Sequence, residues 1–261
     1  MKVCKSEQVL GVQIQTTNIG ILLETGEIPI SIHAKKHTIK NWVRIARENG
    51  NKLITCSFES AENENLLWYE QIRNEFFTIG LGDIFISAKF TTDIIEDIYF
   101  QRKTDIFYQS TFSKIKENNN KLRTYSLFKC KKGYEKYLTE IMSIQVRTTF
   151  TKFRLSNHDL NIEKMRHIKP KPEIYERVCP FCPNEVEDEL HFLLSCKTLK
   201  ANRESLLSYA NNTQVGFERL TNEQKMIKLM SDHRIIKHTA TYIHKNFELR
   251  DFLLKQHKNN T

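Results

Sequence analysis

With 261 residues, 39% hydrophobic and 10% aromatic content, the chain is long enough to bury one large core or two smaller ones. Its six cysteines do not form a disulfide framework, because Cys4, Cys56 and Cys130 stand alone and the other three gather between Cys179 and Cys196, so a reducing intracellular compartment is expected. The start, MKVCKSEQVL, lacks the apolar centre of a signal peptide, and no stretch approaches bilayer length, which argues against secretion and membrane insertion.

The net charge of +9 is unevenly placed. Residues 1–109 hold 12 Lys+Arg and 14 Asp+Glu, residues 110–178 hold 16 and 7, residues 179–196 hold none and 4, and residues 197–261 hold 12 and 6. Positive charge therefore flanks the cysteine-rich stretch, as a surface facing phosphates requires, although a solvated lysine-rich face has the same composition.

In chain order, residues 6–48 read as helices broken at Gly26 and Pro29, with Ile39, Trp42, Val43 and Ala46 on one apolar stripe and Asn49–Gly50 as the stop. A helix over about 65–79 carries Tyr69, Ile72, Phe76 and Ile79 and ends at Gly80 and Gly82. Residues 90–117 form another amphipathic helix that runs into KENNNK, the best boundary between a helical region 1–118 and a basic helical region 119–261. Asp93, Glu96 and Asp97 cluster in this helix, but no partner group lies nearby, so they read as a charged solvent face rather than an acid–base or metal site.

From Lys121 the composition changes. KLRTYSLFKCKKGYEKY interleaves Lys121, Arg123 and Lys129 with Tyr125, Phe128, Tyr134 and Tyr137, the mixture of cations and rings used on single strands. The same rings serve equally well as core. Met142, Val146, Phe150 and Phe153 define the buried stripe of the next helix, with Arg147 and Arg154 on its flank, and the loop-like stretch beyond it, which holds His158 and His167, ends at Pro170 and Pro172.

The stretch CPFCPNEVEDELHFLLSC then places Cys179, Cys182, His191 and Cys196 at the spacing C-x2-C-x8-H-x4-C. Three soft thiolates and one imidazole suit tetrahedral zinc, and a filled ligand shell leaves no position for a reactive water. Pro180 and Pro183 stiffen the turn, while Glu187, Asp188 and Glu189 sit where a helix N-terminus favours negative charge. That helix buries Val186, Leu190, Leu193 and Leu194, carries His191 and delivers Cys196 at its end. Further helices follow on Leu199, Leu206, Leu207 and Ala210, then on Met226, Leu229 and Met230, and finally on Ile236, Ala240, Ile243, Phe247 and Leu254. The expected fold is mainly α, a multi-helix bundle with a small CCHC zinc knuckle inserted between helices.

The order LRTYSLFK (122–129), TKFRLSNHDLNIEKMRH (151–167), ERVCPFC and EDELHFLLSC resembles the C-terminal region of LINE-type non-LTR retrotransposon polyproteins, downstream of the reverse transcriptase. TTNIGILLETGEIPISIHAKKHTIKNW resembles the connector after the polymerase domain, and IKLMSDHRIIKHTATYIHKNFELRDFL the tail beyond the zinc segment, so the resemblance spans nearly the whole chain. It departs at Met165, where many relatives have glycine. The polymerase motif [FY]-x-D-D is absent, as is any recognisable endonuclease constellation, so the converging carboxylates that hold two metal ions are missing.

The resemblance implies a C-terminal piece without catalytic activity that grips element RNA or target DNA. Lys121, Arg123, Lys129, Arg147, Lys152, Arg154 and Arg166 would contact phosphates. A zinc-stabilised scaffold docking an acidic protein partner, and a relic of a decaying element, are the alternative readings.

Overall fold

The computed structural model of the protein describes residues 10, 17–47, 50–87, 92–117 and 121–259. Cys4, Asn49, most of the polar run after Lys116 and the side chain of Asp93 lie outside the described residues. The architecture is mainly helical, with a single two-stranded sheet among those residues. No described helix is long and apolar enough to cross a membrane.

The chain divides into two compact units, Ile28–Thr111, and Phe112–Thr261 with the described part of Met1–Glu27. The divide read from composition fell at 118/119. The difference at the N-terminal side has a local cause, because α1 (Asn18–Thr25) ends at Gly26 in the left-handed region (φ 65°), and there the chain meets Gly133–Tyr134. A Cβ on Gly26 would lie 2.5 Å from the Tyr134 backbone nitrogen, so only glycine allows this approach. Glu135 N–H then donates to the Glu24 carbonyl at 2.9 Å, tying α1 to the second half of the chain.

The unit Ile28–Thr111 comprises α2 (Ile30–Ala46), α3 (Lys52–Asn63), α4 (Leu67–Thr78), α5 (Gly82–Ser87) and most of α6 (Thr92–Ile115). Its core contains the stripes expected from periodicity, with Ile39, Trp42 and Val43 of α2 packed with Tyr69, Ile72 and Phe76 of α4. Trp42 stacks on Phe85 at 4.9 Å between ring centroids. Helix α3 was not foreseen. Its only buried residue is Ala61, so it has little apolar stripe to detect, and its start is set by the Asn51 side chain accepting from the Leu53 and Ile54 amides.

The other unit adds α7 (Tyr125–Phe128), α8 (Tyr137–Glu140), α9 (Ile144–Arg154), α10 (Asn161–Lys164), the hairpin β1 (Val178–Cys179) and β2 (Cys182–Val186), then α11 (Lys200–Thr213), α12 (Asn222–Ser231) and α13 (Ile236–Asn259). Helices α9 and α13 pack along each other, with Phe153, Phe192 and Phe247 in mutual ring contact and Thr149 hydrogen-bonded to His244 Nδ1 at 3.1 Å. The sequence expected Met142 in the buried stripe of α9. Instead Ser143 caps that helix, accepting from the Val146 amide, and Met142 stands before it, 85% exposed.

Candidate metal centre

The four expected ligands converge. Cys179 and Cys182 are paired residues at the closed end of the antiparallel β1–β2 hairpin, so one tight turn presents both sulfurs on one side. His191 and Cys196 come from the segment that follows. The expected amphipathic helix reduces there to a single π-helical turn, His191–Ser195, closed by the Cys196 amide donating to the His191 carbonyl at 2.7 Å. In an α-helix, residues five apart point roughly 140° away from each other, whereas a turn closed from i to i+5 sets them one above the other. The π turn therefore brings both ligands to the same side. Val186, expected on the helix, lies on β2 and is half-buried.

All four ligand atoms lie within 4.8 Å of one another, and all four residues are buried. The Cys182 and Cys196 sulfurs are 3.8 Å apart, close to the edge of a tetrahedron with metal–sulfur bonds of about 2.3 Å. His191 Nδ1 lies 2.9 Å from a Glu185 carboxylate oxygen. That contact fixes the tautomer with its proton on Nδ1 and leaves the Nε2 lone pair free. Nε2 is buried and has no hydrogen-bond partner among the described residues. An orphaned ring nitrogen beside three buried sulfurs, with a carboxylate behind the ring, is the arrangement a metal ion satisfies. The Cys179 thiol, hydrogen-bonded to Cys196, is pushed up and Cys196 is pushed down, so the pair holds one sulfur ready as thiolate.

The acidic run before His191 does more than the helix-end role read from sequence. Only Asp188 acts that way, accepting from the His191 amide at 2.7 Å. Glu187 is buried and takes both Nε and a terminal nitrogen of Arg250 at 2.7 Å each, as well as the Asn161 amide. Glu189 is fully buried and accepts from Arg123 at 2.6 Å and from Ser156 at 2.9 Å, with His158 Nε2 3.0 Å away. Burial alone would raise the Glu189 carboxyl, but the hydrogen bond and charge of His158, together with Arg123, bring it down to about 2. The centre is thus clamped to α13 by one carboxylate and to the 121–158 segment by the next. Glu185, Glu187, Glu189 and Arg250 were not singled out for these roles, because their partners lie up to 66 residues away and no local spacing announces them.

The cations expected to face phosphates divide sharply. Arg154 is 1% exposed, with its guanidinium on Glu24, Glu135 and the Met230 carbonyl. Lys129 is buried against Glu135 and the Gly133 carbonyl. Neither reaches solvent, which corrects the expectation for both: the stripe that carries them is itself core. Arg123 is held by Glu163 and Glu189, and Arg166 by Glu163. Arg147 is half-buried and donates to the Ile141 carbonyl. Lys121 and Lys152 are half-buried and line one pocket together with Lys164. Of the interleaved rings, Tyr125, Phe128 and Tyr137 are core and only Tyr134 is exposed. In the other unit, Glu96 lies within ion-pair reach of Lys36 and Lys40, and Asp97 of Lys36.

No family model, curated protein or solved structure matches the chain.

Proposed function

We propose that the protein is a zinc-stabilised, non-catalytic nucleic-acid-binding module. Zinc is favoured because three thiolates and one imidazole at tetrahedral spacing match its preferred donor set, and four protein ligands close the shell. With no open coordination position the ion would serve as a structural clamp, joining the hairpin to the π turn. The absence of recognisable polymerase carboxylates and the use of Glu96 and Asp97 against lysines support a binding role rather than a catalytic one.

The observation that carries nucleic-acid binding is the segregation of charge. Residues 112–261, which contain the centre, hold 28 Lys+Arg and 17 Asp+Glu, whereas the first 111 residues hold 12 and 14. Many of the arginines nearest the centre are consumed internally, so lysines carry the outward field. The resemblance to the C-terminal region of LINE-type polyproteins points to RNA or DNA as the polyanion.

The test is binding of mixed-sequence RNA and single-stranded DNA by purified full-length protein, followed against salt, before and after chelation, alongside metal analysis. One zinc per chain and an affinity that falls linearly on a log–log salt plot are expected. Absence of binding to either polymer at low salt would overturn the reading.

A further inference from the structure

A pocket of about 420 Å³ opens between α9, the turn after it, α10 and α13. Lys121, Lys152 and Lys164 line it, and among the described residues none of the three forms an ion pair. Three carboxylates share its wall: Glu163 is bound by Arg123 at 2.6 Å and Arg166 at 3.0 Å, whereas Asp159 and Asp251 are exposed, Asp251 lying 3.9 Å from an Arg250 already paired with Glu187. Two exposed carboxylates thus stand against three lysines. The unneutralised charge in the pocket is therefore positive. Burial holds the Lys121 ammonium below the ordinary lysine range even though Glu163 opposes the shift, and Arg166 adds to it. A cation in that condition gains from an anionic ligand.

The floor adds a second feature. His158 is 2% exposed at its side chain and anchored through Nε2 to Glu189, while Nδ1 is buried and has no hydrogen-bond partner among the described residues. A buried ring nitrogen left unpaired is destabilising unless a ligand satisfies it. Ser156 beside it is buried at φ 49°, a left-handed conformation that serine seldom adopts, and its hydroxyl holds the same Glu189 oxygen. The turn is thus built to hold the imidazole against the pocket.

We propose that this pocket is a phosphate site, in which Lys121, Lys152 and Lys164 surround the anion and the His158 ring, doubly protonated with the anion bound, donates from Nε2 to Glu189 and from Nδ1 to one phosphate oxygen. It rests on the nucleic-acid reading and deepens it, giving the strand a defined anchoring point next to the metal centre. The phosphate comes either from a strand terminus or from the internal backbone, and its recognition chemistry is the same in both.

The experiment uses full-length, metal-loaded protein and three probes: a 5′-phosphorylated single strand, the same strand with a 5′-hydroxyl, and inorganic phosphate. Lys152→Glu/Lys164→Glu is compared with a control of equal charge on exposed lysines elsewhere, Lys228→Glu/Lys237→Glu. The pocket variant is expected to weaken strand binding roughly tenfold or more, with the control changing several-fold less. A preference for the phosphorylated strand assigns the terminus, and equal affinities assign the backbone. Inorganic phosphate should also shift the His158 Nδ1 resonance where chloride at equal ionic strength does not.

Equal losses in the two variants with an unmoved His158 resonance would overturn the pocket while leaving nucleic-acid binding intact. Failure of the unmodified protein to bind either strand would remove the broader reading, and the inorganic phosphate titration would still decide the site.

Discussion

Two buried polar clusters lie in the same unit and follow opposite rules. Around Arg154 the protein closes on itself: the guanidinium binds Glu24, Glu135 and the Met230 carbonyl, Tyr137 and Thr151 complete the circle, and the Phe128 and Tyr137 rings pack 4.6 and 5.0 Å from its carbon. Around His191 the protein stops short: three sulfurs and Nε2 face one another, and Nε2 has no hydrogen-bond partner among the described residues. Both use residues that sequence reading associates with binding. What separates structural from ligand-dependent use is whether the last partner is supplied by the chain. Arg154 has every nitrogen engaged and is a core residue, whereas the cysteine–histidine cluster has the geometry that a metal ion could complete.

The largest effect should come from withholding that outside partner. Structural zinc contributes about 10–16 kcal/mol at comparable sites, more than the total stability of most domains. Chelation, or Cys182→Ser, should therefore lose the packing of the β1–β2 hairpin and the π turn, read as loss of near-ultraviolet circular dichroism and a collapse of the thermal transition. An unchanged transition in demonstrably metal-free protein would show that the two clusters do not differ in kind.

Breaking the closed cluster should cost less. Arg154→Met strands Glu24 in the core and should destabilise by about 3–5 kcal/mol in denaturant unfolding, while Glu24→Gln with Arg154→Met should recover much of it. The cluster also predicts a pH dependence. Burial would raise the Glu24 carboxyl, but Arg154 and Tyr137 hold it below its ordinary 4.5, so it binds fewer protons folded than unfolded. Its contribution is present above about pH 4.5 and lost as pH falls through the lowered folded value. The double variant should unfold with a shallower acid limb than the natural protein.

The contrast also explains what could be read from the sequence. The convergence of Cys179, Cys182, His191 and Cys196 was legible because their spacing is local and their chemistry narrow, and stripes such as Ile39–Trp42–Val43 or Met226–Leu229–Met230 were legible because helical periodicity marks burial. Arg154 and Lys129 were misread as phosphate contacts because a cation on a helix flank looks exposed until its partner appears, and Glu24 lies 130 residues away from Arg154. Helix α3 was missed because it buries too little to leave a stripe, and Met142 was misplaced because periodicity does not locate a cap. The π turn was hidden for another reason: HFLLSC has ordinary helical composition, and nothing in its spacing distinguishes closure from i to i+5 from the usual i to i+4.

A smaller effect should follow from Glu185→Gln. Glu185 is partly exposed and touches the centre only through His191 Nδ1, so the fold should tolerate the change when metal is in excess. Ion affinity should fall by about 10–100-fold, measured by competition with a chromophoric chelator, because the amide no longer orients the ring or supports its basicity as a carboxylate does. A drop in stability that excess metal does not restore would make Glu185 a packing residue and would weaken the distinction between the clusters.

The smallest effect belongs to Arg166, which sits between the two cases. It pairs with Glu163 at 3.0 Å, but its side chain remains about a quarter exposed, and Glu163 keeps Arg123 when Arg166 is removed. Arg166→Ala should therefore change stability by no more than about 1 kcal/mol, as expected for a partly solvated pair whose loss leaves no charge stranded. Its effect on strand binding should also be slight compared with Lys152→Glu, since Arg166 is already committed to a carboxylate. If Arg166→Ala instead abolished strand binding while the fold stayed intact, the Glu163 pair would be a resting contact that opens onto the polyanion, and internal pairing would cease to separate structural from ligand-facing cations.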